Sequence, residues 1–156
     1  MSTEEQEASN FWYRWLVAVT IGLMVFGLAM VVAPGLVRRG FSLMIYSSAD
    51  HIGAFGQGPS DYVELAHAVM GSVMFGWGTA LLLVLRGPFR RDVAEGWTIL
   101  AVSLAAWFVP DTAFSLWSGF WQNAVLNAVF AALFAIPLAA THRRAASARP
   151  RPRART

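Results

Sequence analysis

The chain has 156 residues, of which 56% are hydrophobic and only 13% charged, with a mean hydropathy of +0.49. Soluble domains carry about 25% charged residues, so a water-soluble fold of this size would lack the polar side chains to cover its surface, and disorder over most of the length is excluded as well. The absence of cysteine removes disulfides, thiolate metal sites and cysteine nucleophiles.

All twelve basic residues are Arg, and six of them (Arg143, Arg144, Arg149, Arg151, Arg153 and Arg155) fall in the last fourteen residues, where there is no acid. The other six Arg stand against nine acids, leaving −3 elsewhere, so the formal net charge of +3 belongs to the tail. The basic pI is a property of that tail, and no nucleic-acid partner is expected. Arg-only, Ala-rich usage points to a GC-rich, bacterial genome.

In chain order, residues 1–10 (MSTEEQEASN) are polar and acidic and are expected to be disordered. Trp15 to Ala33 is nineteen residues without a charge, long enough at 1.5 Å per residue for one membrane span, and Pro34-Gly35 ends it. Acidic Glu4, Glu5 and Glu7 stand where a signal peptide carries positive charge, so this reads as a retained first helix. Residues 34–61 form the one long connection. Within it Phe41 to Tyr46 is too short to span and is expected to lie along the interface or fold back over the bundle. Its glycines, in GAFGQG, have neither a preceding strand nor a Lys-Ser/Thr pair and read as a flexible turn.

The remaining spans are expected at about 62–85, 93–114 (continuing through Pro110) and 118–140, after a first at about 12–33. The sequence therefore predicts an all-α integral membrane protein, a four-transmembrane-helix bundle over 11–141. A disordered Arg/Pro-rich tail follows over 142–156. Arg14, the Arg86, Arg90 and Arg91 turn and the tail place ten Arg on one side, against Arg38 and Arg39 on the other. By the positive-inside rule both termini are cytoplasmic and the long loop faces outward, in a multi-pass protein of the cell (plasma) membrane. Arg143, Arg144 and Arg149 are expected to face anionic lipid.

Within the bundle, three stripes of small residues (Ala18 and Gly22; Ser72 and Gly76; Ala124, Ala128 and Ala132) read as the contacts through which the helices pack on one another. Asn123 and Asn127, one turn apart, are expected to turn inward, because an amide facing lipid is costly.

The chemistry-bearing residues gather toward the outer side: Glu64 and His67 at i, i+3 in the second span, on a face that Gly71 and Met74 continue and that is expected to look into the bundle, Asp111 in the third, Asn123 and Asn127 in the fourth, with Asp61 and His51 nearby. This set is a candidate ligand or proton site. Glu64 and His67, with Asp111 and His51, have ligand types suited to a divalent ion, but one Glu-x-x-His copy falls short of a di-iron site. The plainer expectation pairs Glu64 and His67 with each other or with Arg38 or Arg39. No motif requires a cofactor and no nucleophile arrangement is present.

The span layout, with Ala-Pro after the first span and acids opening the second, resembles small bacterial membrane families, DoxX-like proteins among them. The resemblance is one of layout alone and implies no activity or site residue. The leading functional expectation is a non-enzymatic accessory or interaction protein, with the lipid bilayer, a membrane-protein partner or a second copy as its contacts. The second is an oligomeric small-solute or proton-linked transporter using Glu64, His67 and Asp111. The third is a membrane enzyme or metal or cofactor binder acting on lipid or quinone at the outer leaflet.

Overall fold

A computed structural model describes residues 3–148, with side chains at Glu7 and over residues 10–142. It is all-helical, and among the described residues there is no strand. The elements are α1 (Thr3–Val32), α2 (Pro34–Tyr46), a single 3₁₀ turn (Gly53–Phe55), α3 (Gln57–Arg86), α4 (Pro88–Arg91), α5 (Val93–Trp117) and α6 (Trp121–Ala148). Four helices are long and apolar enough to span a membrane, over Asn10–Val32, Gln57–Arg91, Val93–Trp117 and Trp121–His142.

The breaks follow local chemistry. Ala33 leaves the helical region (φ −134°, ψ 56°) and separates α1 from α2, which opens on Pro34. Gly56 has φ +98°, a backbone region open in practice to glycine alone, and turns the chain into α3. Asp92 caps α5 by accepting from the amides of Ala94 (2.9 Å) and Glu95 (3.2 Å). Pro110 lies inside α5, as expected from the shortness of the uncharged run before Asp111.

The α5–α6 boundary differs from the sequence reading, which started the last span at 118. Gly119 has φ +83°, its amide donates to the Leu116 carbonyl, and the Phe120 amide donates to that of Ser115 at 2.8 Å. These paired bonds are a Schellman motif, so Ser118 and Gly119 terminate α5 at Trp117 and α6 starts only at Trp121. At the two chain ends the helices run further than expected. The Glu-, Gln- and Ala-bearing residues after Thr3 are helical, and α6 runs to Ala148, two residues short of Pro150. The rest of the Arg/Pro-rich tail, residues 149–156, lies outside the described residues, and so does the Arg149 expected to face lipid. The side chains of Arg143 and Arg144 lie outside them too.

Helix α1 packs along α3 and α5 along α6, with α1 also against α6, while α3 and α5 meet over a shorter stretch. The close approach of α1 and α3 is made by Gly27 and Gly71 and not by the stripe of Ala18 and Gly22 or that of Ser72 and Gly76. A Cβ on Gly27 would stand 2.7 Å from the Gly71 carbonyl oxygen, and one on Gly71 would collide with the Gly27 carbonyl and Met30. By contrast Ala18, Gly22, Ser72, Gly76, Ala128 and Ala132 are exposed, and Gly22 and Gly76 have open space where a Cβ would sit. Of the three stripes only Ala124 is buried. Four-residue spacing marks a face of a helix but not which neighbour that face meets.

Leu16, Leu23, Leu81, Leu85, Phe89, Leu100, Phe134 and Leu138 form a closed core toward the α4 end. There the Arg90 guanidinium sits 5.3 Å over the Tyr13 ring, and Trp97 meets His142 edge-on. Pro137, inside α6, cannot donate to the Leu133 carbonyl, and the Trp15 indole does so instead at 2.9 Å, tying α1 to α6. Packing is tight at this end and opens toward the other.

Candidate functional site

Toward the α2 end the four long helices part around a cavity of about 590 Å³. Its walls are largely aromatic and apolar, with Phe26 from α1, Trp77 from α3, Trp107 from α5, and Phe130 and Phe134 from α6. Trp77 and Trp107 stand 5.8 Å apart, and the Trp77 indole donates to the Ser103 hydroxyl at 2.7 Å, bridging α3 to α5. Beyond that bridge the α3–α5 seam is open: Val73, which lines the cavity, is 67% exposed, and Met70 and Ala106 are exposed too. Phe41 of α2 closes the end.

Helix α2 is held there by polar ties. Arg38 Nε donates to Glu64 Oε1 at 3.1 Å, a salt bridge from α2 to α3, and the Gln122 amide donates to the Ile45 carbonyl at 3.2 Å, tying α6 to α2. Arg38 is buried, and its Nη1 has no hydrogen-bond partner among the described residues. The α2 segment thus folds back across the bundle end, one of the two placements expected for it. Its Phe41 and Ser42 turn inward while Leu36 and Leu43 stay exposed.

The residues grouped by sequence separate into three sets. Asp111, Asn123 and Asn127 line the cavity. Asn123 Nδ2 donates to Asp111 Oδ1 (3.2 Å) and to Ser115 Oγ (2.8 Å), and buried Asn127 donates to Thr112 Oγ1 at 3.4 Å. Both amides thus bind α5 to α6. Glu64 and His67 form the second set, apart from the cavity wall. His67 is buried, with Nδ1 donating to the Val63 carbonyl at 2.7 Å and its ring 5.3 Å from Phe41. Glu64 and His67 share no hydrogen bond among the described residues; the carboxylate pairs with Arg38 instead. The third set is on the surface. Asp61 accepts from Gln57 at 2.7 Å, and His51 stacks on Tyr46 at 4.1 Å.

Among the described residues no three His, Asp or Glu side chains converge as metal ligands, so Glu64, His67, Asp111 and His51 are not brought together as one site. Their reading as a four-residue set assumed that one end of the bundle is one place. The Arg38–Glu64 bridge and the intervening Phe41 divide it.

The sequence reading missed the aromatic wall. Its signal was the position of Trp77 and Trp107, near the middle of their helices, whereas tryptophans in membrane helices favour the ends. The fold and site together define an all-helical protein with four helices of membrane-spanning length and an aromatic-lined internal cavity. The chain matches no protein-family model, no curated protein and no solved structure.

Proposed function

We propose that the four helices cross a cell membrane, with both termini and the Arg86–Arg91 turn cytoplasmic, and that the bundle is a non-enzymatic accessory protein that holds a small amphiphile. Three observations favour lipid as the solvent. No more than 33% of any of the four apolar windows is buried within the chain, so most of each apolar surface needs an apolar environment. Tyr62, Trp117 and Trp121, all exposed, cluster toward the α2 end, as an interfacial belt does. The contacts of Tyr13 with Phe89 and of Trp97 with His142 gather the start of α1, the Arg-rich turn and the late part of α6 at the other end, where the positive-inside rule asks for them.

The cavity carries the binding proposal. A volume of about 590 Å³ lies within the roughly 300–1,000 Å³ of small-molecule sites. Its apolar walls, polar end and lateral opening suit a molecule with one polar group that arrives from the bilayer.

The test uses a neutral, diazirine-bearing long-chain alcohol photolabelled onto protein in non-ionic detergent. Saturable adducts are expected on Met74, Trp107 and Asn127, with their loss in Ala106→Trp, which places a bulky ring at the cavity's lateral opening. Non-saturable adducts spread evenly over outward residues such as Val25 and Val129 would overturn the proposal.

A further inference from the structure

We infer that the cavity is selective for a lipophilic organic cation, an amine or quaternary ammonium bearing an apolar body. The inference rests on the reading of the cavity as an amphiphile site and concerns the charge of the occupant.

Asp111 is the only ionisable residue of the cavity wall among the described residues. Among the described residues the only salt bridge is Arg38–Glu64, so no Arg or His stands at ion-pairing distance from Asp111. An acid within an apolar helix without a cationic partner is costly and marks a site for an external one.

The polar groups around it are tied up among themselves: Asn123 Nδ2 donates to Asp111 and Ser115, the Ser115 hydroxyl to Asp111 at 3.4 Å, and Asn127 Nδ2 to Thr112, so the one full charge on the wall is the Asp111 carboxylate. Pro110 withdraws the donor that the carbonyl of cavity-lining Ala106 would meet in a regular helix. A quinone or ester carbonyl brings no charge to answer that of Asp111, whereas a cation does.

The aromatic wall is the second half of the match. Trp107 lies one helical turn from Asp111 on α5, Trp77 stands beside it, and Phe26 and Phe130 pair across α1 and α6 at 6.0 Å. Ring faces attract cations, indole most strongly, and more so out of water. A zwitterionic phospholipid fits less well, because its phosphate would come to lie beside the Asp111 carboxylate.

The experiment is competition against the photolabelled alcohol in non-ionic detergent. One competitor is 4-phenylbutyl-trimethylammonium; the other is its neutral isostere with carbon in place of nitrogen. In the wild-type protein, after correction for partition into micelles, the cation is expected to protect at a concentration at least tenfold below that of the isostere. In Asp111→Asn the cation should weaken at least tenfold while the isostere is unmoved. The wild-type comparison needs no variant to fold, and labelling of Asp111→Asn by the alcohol reports its integrity. Equal protection by the two competitors in the wild type, or equal weakening of both in Asp111→Asn, would overturn the inference and leave the amphiphile site standing. Failure of the alcohol itself to label the cavity would instead remove the site.

Discussion

Trp15→Phe isolates one bond on which the packing of α1 against α6 depends. The Trp15 indole donates to the Leu133 carbonyl at 2.9 Å, an acceptor left free because Pro137 has no amide hydrogen. Phenylalanine keeps an aromatic ring beside Phe11 and Trp12 but removes the donor. A part-buried carbonyl left without a partner costs about 1–3 kcal/mol, while interhelical bonds within bilayers average about 0.6 and reach about 1.7 kcal/mol. A loss of about 1–2 kcal/mol is therefore expected. In a Pro137→Ala background the amide of residue 137 can close the regular bond to Leu133, and the same Trp15→Phe change should cost about 0.5 kcal/mol or less. The assay is reversible unfolding in mixed micelles followed by helical circular dichroism, run as a four-protein cycle. Penalties equal in both backgrounds within about 0.5 kcal/mol, the ordinary scatter of independent sites, would refute the reasoning.

Gly71→Leu should separate α1 from α3 and cost about 1–3 kcal/mol or more in the same assay, since its Cβ alone collides with the Gly27 carbonyl and Met30. Gly76→Ala, which meets open space, should be neutral or gain by the difference in helix propensity, about 1 kcal/mol at most. Glu64→Leu leaves the buried Arg38 guanidinium without its one acceptor and should cost toward the low end of the 3–5 kcal/mol seen for broken buried pairs, because the Glu64 side chain keeps 33% exposure. The double change with Arg38→Met should recover much of that loss in thermal denaturation. A cytosol-active reporter fused after residue 156 should be active and a periplasm-active one silent; the reverse pattern would invert the proposed sidedness.

The helices themselves were legible in the sequence because uncharged runs of span length leave few alternatives. Pro34 and Gly35 likewise marked a real break. Boundaries governed by glycine chemistry were less so: Gly119 stops α5 through a left-handed residue and two backbone bonds, a signal carried by one residue inside an otherwise apolar stretch. Which face of a helix meets which neighbour was legible only in part: the Glu64, His67 and Gly71 face of α3 does turn inward, but its pairing with Gly27 was not readable, and equally small Ser72 and Gly76 look outward. The site was half legible. Asn123 and Asn127 turn inward, where their amides bond α6 to α5. Separation of Glu64 from Asp111 depended on the fold-back of α2, which brings Arg38 to Glu64 and Phe41 between that pair and the cavity. One-dimensional spacing holds no record of that.

The most direct test of a lipid-embedded cavity open between α3 and α5 is the electron paramagnetic resonance spectrum of a nitroxide on Val73→Cys, introduced into a chain that has no other cysteine. In bilayers the account predicts a label reached by oxygen in preference to a polar nickel reagent, and immobilised when the long-chain alcohol is added, while a label on Val129→Cys keeps its mobility. Preferential access for the nickel reagent, or a spectrum at position 73 indifferent to the alcohol, would contradict it.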